Sequence, residues 1–135
     1  MRASGTFKVA GFTPAPVPGP AIETALPVGV ATMEKEYEGE IAGRSATLFT
    51  AAFDQSTGVG TYVAMESFEG TLHDRAGTFN FAHSATTLGE SRESEFFTIV
   101  PSSGTAALTG ITGTGAITIT PDGTHRIWFD YELNR

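Results

Sequence analysis

The stretch that decides the fold runs from Gly60 to His83 and reads GTYVAMESFEGTLHDRAGTFNFAH. Apolar and polar residues alternate on both sides of a polar corner at 70–77, which is the period-2 pattern of two strands joined by a turn. A hairpin centred between His73 and Asp74 makes Glu66 a diagonal neighbour of His83, at about 7–8 Å between backbones. A register slipped by one residue would instead place these two side chains on opposite faces.

The rest of the chain repeats this alternation in short segments separated by turn residues. Beside the central pair at 60–69 and 78–84, strands are predicted at residues 5–9, 28–38, 45–53, 90–100, 115–120 and 125–133. The segment 13–27 is rich in proline, which lacks the backbone donor of a strand ladder, and it is predicted to be an exposed loop. With about eight strands and no helical period, the sequence predicts an all-β protein, an antiparallel barrel or sandwich. Glycine and alanine spread through the strands favour closure into a small antiparallel eight-stranded barrel.

Length and composition narrow the classes of function. The 135 residues are predicted to form one domain, 1–135, and the net charge of -7 argues against nucleic acid as a partner. The sequence has no cysteine, no signal-peptide core and no apolar run long enough to span a bilayer, so a cytoplasmic protein without membrane contact is expected. Its three histidines are far apart, and no metal site is predicted.

The predicted strand at 45–53 carries small and apolar residues on both faces. Such a strand needs cover on its outer side, from a loop, a helix or another subunit. A homo-oligomer is therefore expected.

Glu66 and His83 are the candidate catalytic residues, because each stands on an otherwise apolar strand face. An apolar environment should raise the pKa of the carboxyl group of Glu66, and a nearby imidazole could hold or exchange its proton. Such a pair could move a proton on a bound substrate. The alternative is a structural polar pair that fixes strand register and takes no part in chemistry.

The phenol groups of Tyr62 and Tyr131 could donate hydrogen bonds to a ligand carbonyl. Glu93 and Glu95 alternate with Phe97 and Ile99, which would let one of the two carboxylates point inward, but a solvated start of the strand is the favoured interpretation. The full set of predicted ligand-binding residues is Tyr62, Phe81, Glu95, Phe97 and Tyr131.

Several segments, in order, carry a resemblance to a known family. They are GTF at 5–7, K-x-Y-x-G at 35–39, G-x-S at 43–45, YVAMESF-x-G at 62–70, G-x-F at 77–79, VP-x-x-GT-x-x-L-x-G-I-x-G at 100–113 and Y-x-L at 131–133. Together they resemble an uncharacterised bacterial domain-of-unknown-function family with an allene-oxide-cyclase-like, calycin-type barrel. Phe97 stands where that family's pattern leads us to expect tryptophan.

The resemblance implies a function only at the level of the broader barrel class. That class includes allene oxide cyclases, dirigent proteins and natural-product cyclases, which hold a small apolar molecule inside the barrel. It implies a cofactor-free protein that encloses such a molecule, with isomerase or cyclase activity. A non-catalytic small-molecule binder or oligomeric scaffold is the alternative. A lumen of several hundred Å³ beside Glu66 would favour the enzyme, and a packed interior would rule out an enzyme that encloses its substrate there.

Overall fold

The structure is a computed structural model that describes residues 1–133. A single antiparallel sheet of eight strands closes on itself in chain order, which confirms the predicted eight-stranded barrel. The strands are β1 (Arg2–Ala15), β2 (Gly29–Gly39), β3 (Ile41–Asp54), β4 (Val59–Leu72), β5 (Arg75–Leu88), β6 (Ser91–Ile99), β7 (Ile111–Ile119) and β8 (His125–Leu133). Within this range the chain forms no helix with the length and hydropathy needed to cross a bilayer.

The strands are longer than the sequence predicted, and β1 shows why. Residues 13–15 were expected to belong to the proline-rich loop, but Thr13, Pro14 and Ala15 pair with β2, so that loop covers only 16–28. The pairing of β1 with β8 ends at Phe7. The second half of β1 therefore has one free edge, where the missing donor of Pro14 costs no ladder hydrogen bond.

The β4–β5 hairpin has the register that the sequence predicted. His73 and Asp74 both have positive φ, at 48° and 65°, as a two-residue type I′ turn requires. The turn sets Phe81 opposite Glu66 and places His83 two residues further along the same face. Glu66 and His83 consequently both point into the barrel.

Three glycines in register allow β3, β4 and β5 to approach closely near the β4–β5 turn, at the end of the barrel that we call the closed end. Gly43 pairs with Gly70, and Gly70 pairs with Gly77. A Cβ atom on Gly70 would lie 2.1 Å from the carbonyl oxygen of Ala42, well inside contact distance. The sheet can bend at this line only because side chains are absent.

The barrel has its fewest strand-pairing contacts between β6 and β7. These strands share a single ladder position, Ile99 with Gly113, whereas β7 pairs with β8 along its whole length. Between β6 and β7 the chain forms a three-residue 3₁₀ turn, Ala106–Leu108, that is held against β5 by a hydrogen bond from Thr105 N to Thr78 O at 2.9 Å. From Ile99 towards the N-terminal end of β6 the two strands separate and leave a slot between them in the barrel wall.

Phenylalanine rings fill the barrel interior next to Glu66. Phe68, Phe79, Phe81 and Phe129 are all almost completely buried, with ring centroids 5.1–5.4 Å apart in neighbouring pairs. Within residues 1–133 the space directly beside Glu66 is therefore packed with side chains. A large lumen at that position, which would have favoured an enzyme, is not what the structure has.

Candidate functional site

Glu66 lies at the centre of a buried polar cluster and is 0% exposed. Lys35 on β2 donates from Nζ to Oε2 at 2.7 Å, and His83 Nε2 contacts the same oxygen. Ser45 donates from Oγ to Oε1 at 2.7 Å, and the hydroxyl of Tyr37 lies 3.1 Å from that oxygen. Four donors from three other strands thus satisfy the carboxylate, as burial of a charge demands.

The pKa of Glu66 moves in the direction opposite to the one the sequence predicted. Burial alone would raise it, but the hydrogen bond with His83 and the positive charge of Lys35 outweigh desolvation and lower the pKa to about 2. The expectation of a raised pKa was wrong because it considered only the apolar neighbours on β4 and β5. Glu66 is consequently a carboxylate throughout the physiological range.

His83 connects this cluster to the upper part of the barrel. Burial lowers the pKa of the imidazole, although Glu66 opposes the shift, so the ring is neutral at pH 7. Because an ionised carboxylate can only accept, the Nε2 proton points to Glu66 and Nδ1 is an acceptor. Nδ1 lies 2.8 Å from the hydroxyl of Tyr62, which therefore donates to it.

Tyr62 is held on its other side by Arg92. The Arg92 guanidinium donates from Nη2 to the Tyr62 hydroxyl at 2.6 Å and from Nε to the carboxylate of Glu95. Burial raises the pKa of Tyr62, with Arg92 acting against the shift, so the phenol is protonated. A continuous row of contacts thus runs from Glu66 through His83 and Tyr62 to Arg92.

A β-bulge turns Arg92 inward. Ser84 pairs with Phe96 and Thr86 with Glu93, so two residues of β6 stand opposite one residue of β5, and Ser94 takes a φ of 53°. The bulge reverses the alternation on one side of it. Glu93 and Glu95 are both exposed, which agrees with the favoured interpretation of a solvated strand start, and Glu95 contacts Arg92 at the rim.

The end of the barrel above Tyr62, which we call the mouth, is lined by the apolar residues Val9, Phe12, Phe49 and Ile119. Val9 pairs with the inward-facing Lys35, yet it is 44% exposed, and Phe12 and Ile119 are 55% and 59% exposed. Phe12 packs edge-on against Phe49 at 6.3 Å, and Phe49 stacks on Tyr62 at 5.6 Å. A partly exposed apolar surface thus extends from Phe12 through Phe49 to the ring of Tyr62.

A small cavity of about 80 Å³ lies in the slot between β6 and β7, beside His83 and Arg92. Phe97 borders it, and its ring fills the space that a side chain on Gly115 would need: a Cβ there would be 2.8 Å from the ring. Two larger clefts, of about 640 and 430 Å³, lie on the outer wall of β1–β5. Those clefts are larger, but the chemically distinctive groups face the small one.

The structure separates two of the predicted ligand residues from the mouth. Phe81 is fully buried and stacks on His83 at 5.7 Å and on Phe97 at 5.3 Å, so it orients the imidazole from below. Tyr131 lies at the closed end, where its hydroxyl is 2.6 Å from His73 Nδ1. Tyr62 and Tyr131 are therefore at opposite ends of the barrel.

Four residues of the site were not predicted: Lys35, Tyr37, Ser45 and Arg92. For Lys35 a signal existed, because it is the one cation on the face that β2 turns inward, next to Tyr37. Arg92 gave none, since only the bulge brings it inside. Among residues 1–133, no group of three or more His, Asp and Glu side chains is arranged to hold a metal ion.

These features define the protein as an all-β, eight-stranded antiparallel barrel with an ionic cluster sealed in its core below an open apolar mouth. The chain belongs to the DUF3224 family, described as a protein of unknown function, whose model matches residues 3–131. The predicted family resemblance is thereby confirmed. Among solved structures, it is similar to a crystal structure of a DUF3224 protein of unknown function from Shewanella oneidensis MR-1. That similarity has a TM-score of 0.87 and 28% identity, and it covers 100% of this chain and 98% of the other. No curated protein matches the chain.

Proposed function

We propose that this protein is a cofactor-independent barrel that holds a small apolar molecule in its mouth and catalyses an isomerisation or cyclisation there. The observation that carries the proposal is the position of the Tyr62 hydroxyl. It lies at the base of an apolar surface, donates to His83 and accepts from Arg92. A phenol held in this way has a base ready to take its proton and a cation ready to stabilise the phenolate.

The proton transfers balance without a cofactor. Tyr62 first gives its proton to His83 Nδ1. The phenolate formed then removes a proton from a carbon next to a substrate carbonyl, and the electron pair of that C–H bond moves onto the carbonyl oxygen to give an enolate. The imidazolium formed is stabilised by Glu66, and the phenolate by Arg92 until the new proton arrives. Tyr62 then returns that proton at a second carbon or at oxygen, and His83 returns its proton to complete the cycle. The substrate gains and loses one proton, so the net change is an isomerisation.

The roles differ from the ones that the sequence suggested. Glu66 is completely buried and cannot touch a ligand, so it acts through His83 as a positioning residue. Tyr62, predicted to bind ligand, becomes the group that contacts it and moves the proton. Phe97 and Phe49 supply apolar walls on either side.

A second candidate function is binding without catalysis. It is favoured by the four donors that saturate Glu66 and by its pKa of about 2, which are typical of a structural ion pair that fixes strand register. In that case the barrel would carry an apolar molecule, and the cluster below would only hold the strands together.

Two measurements separate these functions. The neutral dye N-phenyl-1-naphthylamine reports occupancy of the mouth by fluorescence, and α-proton exchange of 2-tetralone in D₂O, followed by ¹H NMR, reports proton transfer. We expect dye binding in the wild type, Tyr62→Phe and Tyr131→Phe, and accelerated exchange in the wild type and Tyr131→Phe only. Tyr131→Phe is the matched control because its hydroxyl lies at the closed end. Dye binding without any acceleration would support the binder, and no dye binding would refute both functions.

Self-association and the cytoplasm as the compartment stay predictions. The homo-oligomer is supported by large apolar side chains on the outer wall of β3, β4 and β6. Leu48, Val63, Met65 and Phe96 are all more than 45% exposed. Covering them with a second copy would remove apolar surface from water.

A further inference from the structure

Arg92 is an unusual residue for its position. It pairs with Thr87 on β5, and its guanidinium lies 5.3 Å above the ring of Tyr62. Its side chain is only 25% exposed. The bulge at Ser94, with its left-handed backbone, is what turns it inward. Bulges that re-aim a single side chain occur preferentially next to functional sites.

The guanidinium retains donors for a ligand. Arginine has five N–H groups, and within the described residues one on Nε goes to Glu95 and one on Nη2 goes to Tyr62. The remaining N–H groups include both on Nη1. Arg92 also borders the cavity of about 80 Å³ in the β6–β7 slot, together with His83 and Phe97. This cavity accommodates a group of a few heavy atoms next to the charge.

Glu95 is the group that an anionic ligand would displace. Its side chain is 45% exposed at the rim, and no hydrogen bond to another described residue holds its carboxylate besides that from Arg92. A partly exposed pair at the rim contributes about 1 kcal/mol, so Glu95 can move into water at little cost. The other nearby carboxylate, Glu66, is already neutralised by Lys35 below.

We propose that the ligand is an amphipathic carboxylate, whose head group binds Arg92 in the slot between β6 and β7 and whose apolar part lies in the mouth against Phe49 and Phe12. Glu95 occupies the guanidinium when the ligand is absent and competes with it. This inference rests on the proposed function and adds the chemical class of the ligand. A carboxylate and a guanidinium form two parallel hydrogen bonds, which gives both affinity and orientation above Tyr62.

The test compares dodecanoate with dodecanol, each used below its aggregation limit, as competitors of N-phenyl-1-naphthylamine. In the wild type we expect dodecanoate to bind about tenfold more tightly than dodecanol, which corresponds to about 1.4 kcal/mol. Arg92→Met should remove this preference and leave the affinity for dodecanol unchanged. Glu95→Gln should strengthen dodecanoate binding severalfold, again with no effect on dodecanol.

Each outcome decides the proposal. Equal affinity for the two competitors in the wild type would overturn the carboxylate assignment, whereas dodecanol binding would still support the proposed function. A loss of dodecanol binding in Arg92→Met, equal to the loss of dodecanoate, would show that Arg92 only shapes the mouth. If Arg92→Met fails to fold in a thermal melt, Glu95→Gln decides alone: unchanged or weaker dodecanoate binding refutes the competition.

Discussion

Replacing Glu66 with glutamine should make the barrel much less stable at neutral pH, and this loss should shrink in acid. Glutamine has the shape of a protonated glutamic acid and cannot neutralise Lys35. The Lys35 and Glu66 side chains are 6% and 0% exposed and lie 2.7 Å apart, and breaking a pair buried this deeply costs about 3–5 kcal/mol. The variant thus isolates the charge of a single carboxylate.

The pKa of Glu66 gives the magnitude and the sign independently. A lowering from 4.5 to about 2 corresponds to about 3 kcal/mol, at about 1.4 kcal/mol per pKa unit. Because the pKa is lower in the folded state, this stabilisation is complete above pH 4.5 and is lost as the pH falls towards 2. The difference between wild type and Glu66→Gln should therefore decrease from about 3 kcal/mol at pH 6 to under about 1 kcal/mol at pH 2.

Urea unfolding followed by the fluorescence of Trp128, the single tryptophan, measures this difference at each pH. The matched control is Glu69→Gln on the same strand, which breaks an exposed pair with Arg44 and should cost under about 1 kcal/mol at every pH. If Glu66→Gln were no more destabilising than Glu69→Gln, or if its effect did not depend on pH, the ionic cluster would not stabilise the core.

Two further predictions concern the core. Lys35→Met should destabilise the barrel by about 3 kcal/mol, and its combination with Glu66→Gln should cost at least about 1 kcal/mol less than the sum of the single changes, because both remove one interaction. Additive costs in the same urea experiment would contradict a coupled pair. Gly70→Ala should cost about 1–3 kcal/mol, because its Cβ would clash with Ala42 O, whereas Gly29→Ala, with no atom nearer than 4.0 Å, should change stability by under about 0.5 kcal/mol. Equal effects of the two alanines would show that the glycine line does not determine the bend.

The β4–β5 hairpin shows what local sequence can determine. Its two-residue turn and the alternation on both strands depend on neighbours in the chain, so the register and the shared face of Glu66 and His83 could be predicted. The same rule failed on β6, because a bulge inserts one residue and reverses the alternation for Arg92. The sequence around Ser94 contains no pattern that predicts the bulge.

The position of Glu66 was predicted correctly, whereas the direction of its pKa shift was not. The faces of β4 and β5 predicted an apolar environment for Glu66, but its donors Lys35, Tyr37 and Ser45 come from β2 and β3. Lys35 stands on an inward face in the sequence, yet no local pattern says which carboxylate it meets. The direction of the Glu66 pKa shift depends on this contact with Lys35.

The sequence by itself determined the strand count, the antiparallel barrel, the family and the face that Glu66 and His83 share, because alternation and turns are properties of neighbouring residues. Only the tertiary structure decided that the interior is packed around Glu66, that exposed apolar side chains surround the Tyr62 end of the barrel, and that Tyr131 lies at the other end. Closure of the barrel sets these features, since it brings together strands distant in the chain with an offset that no single strand encodes.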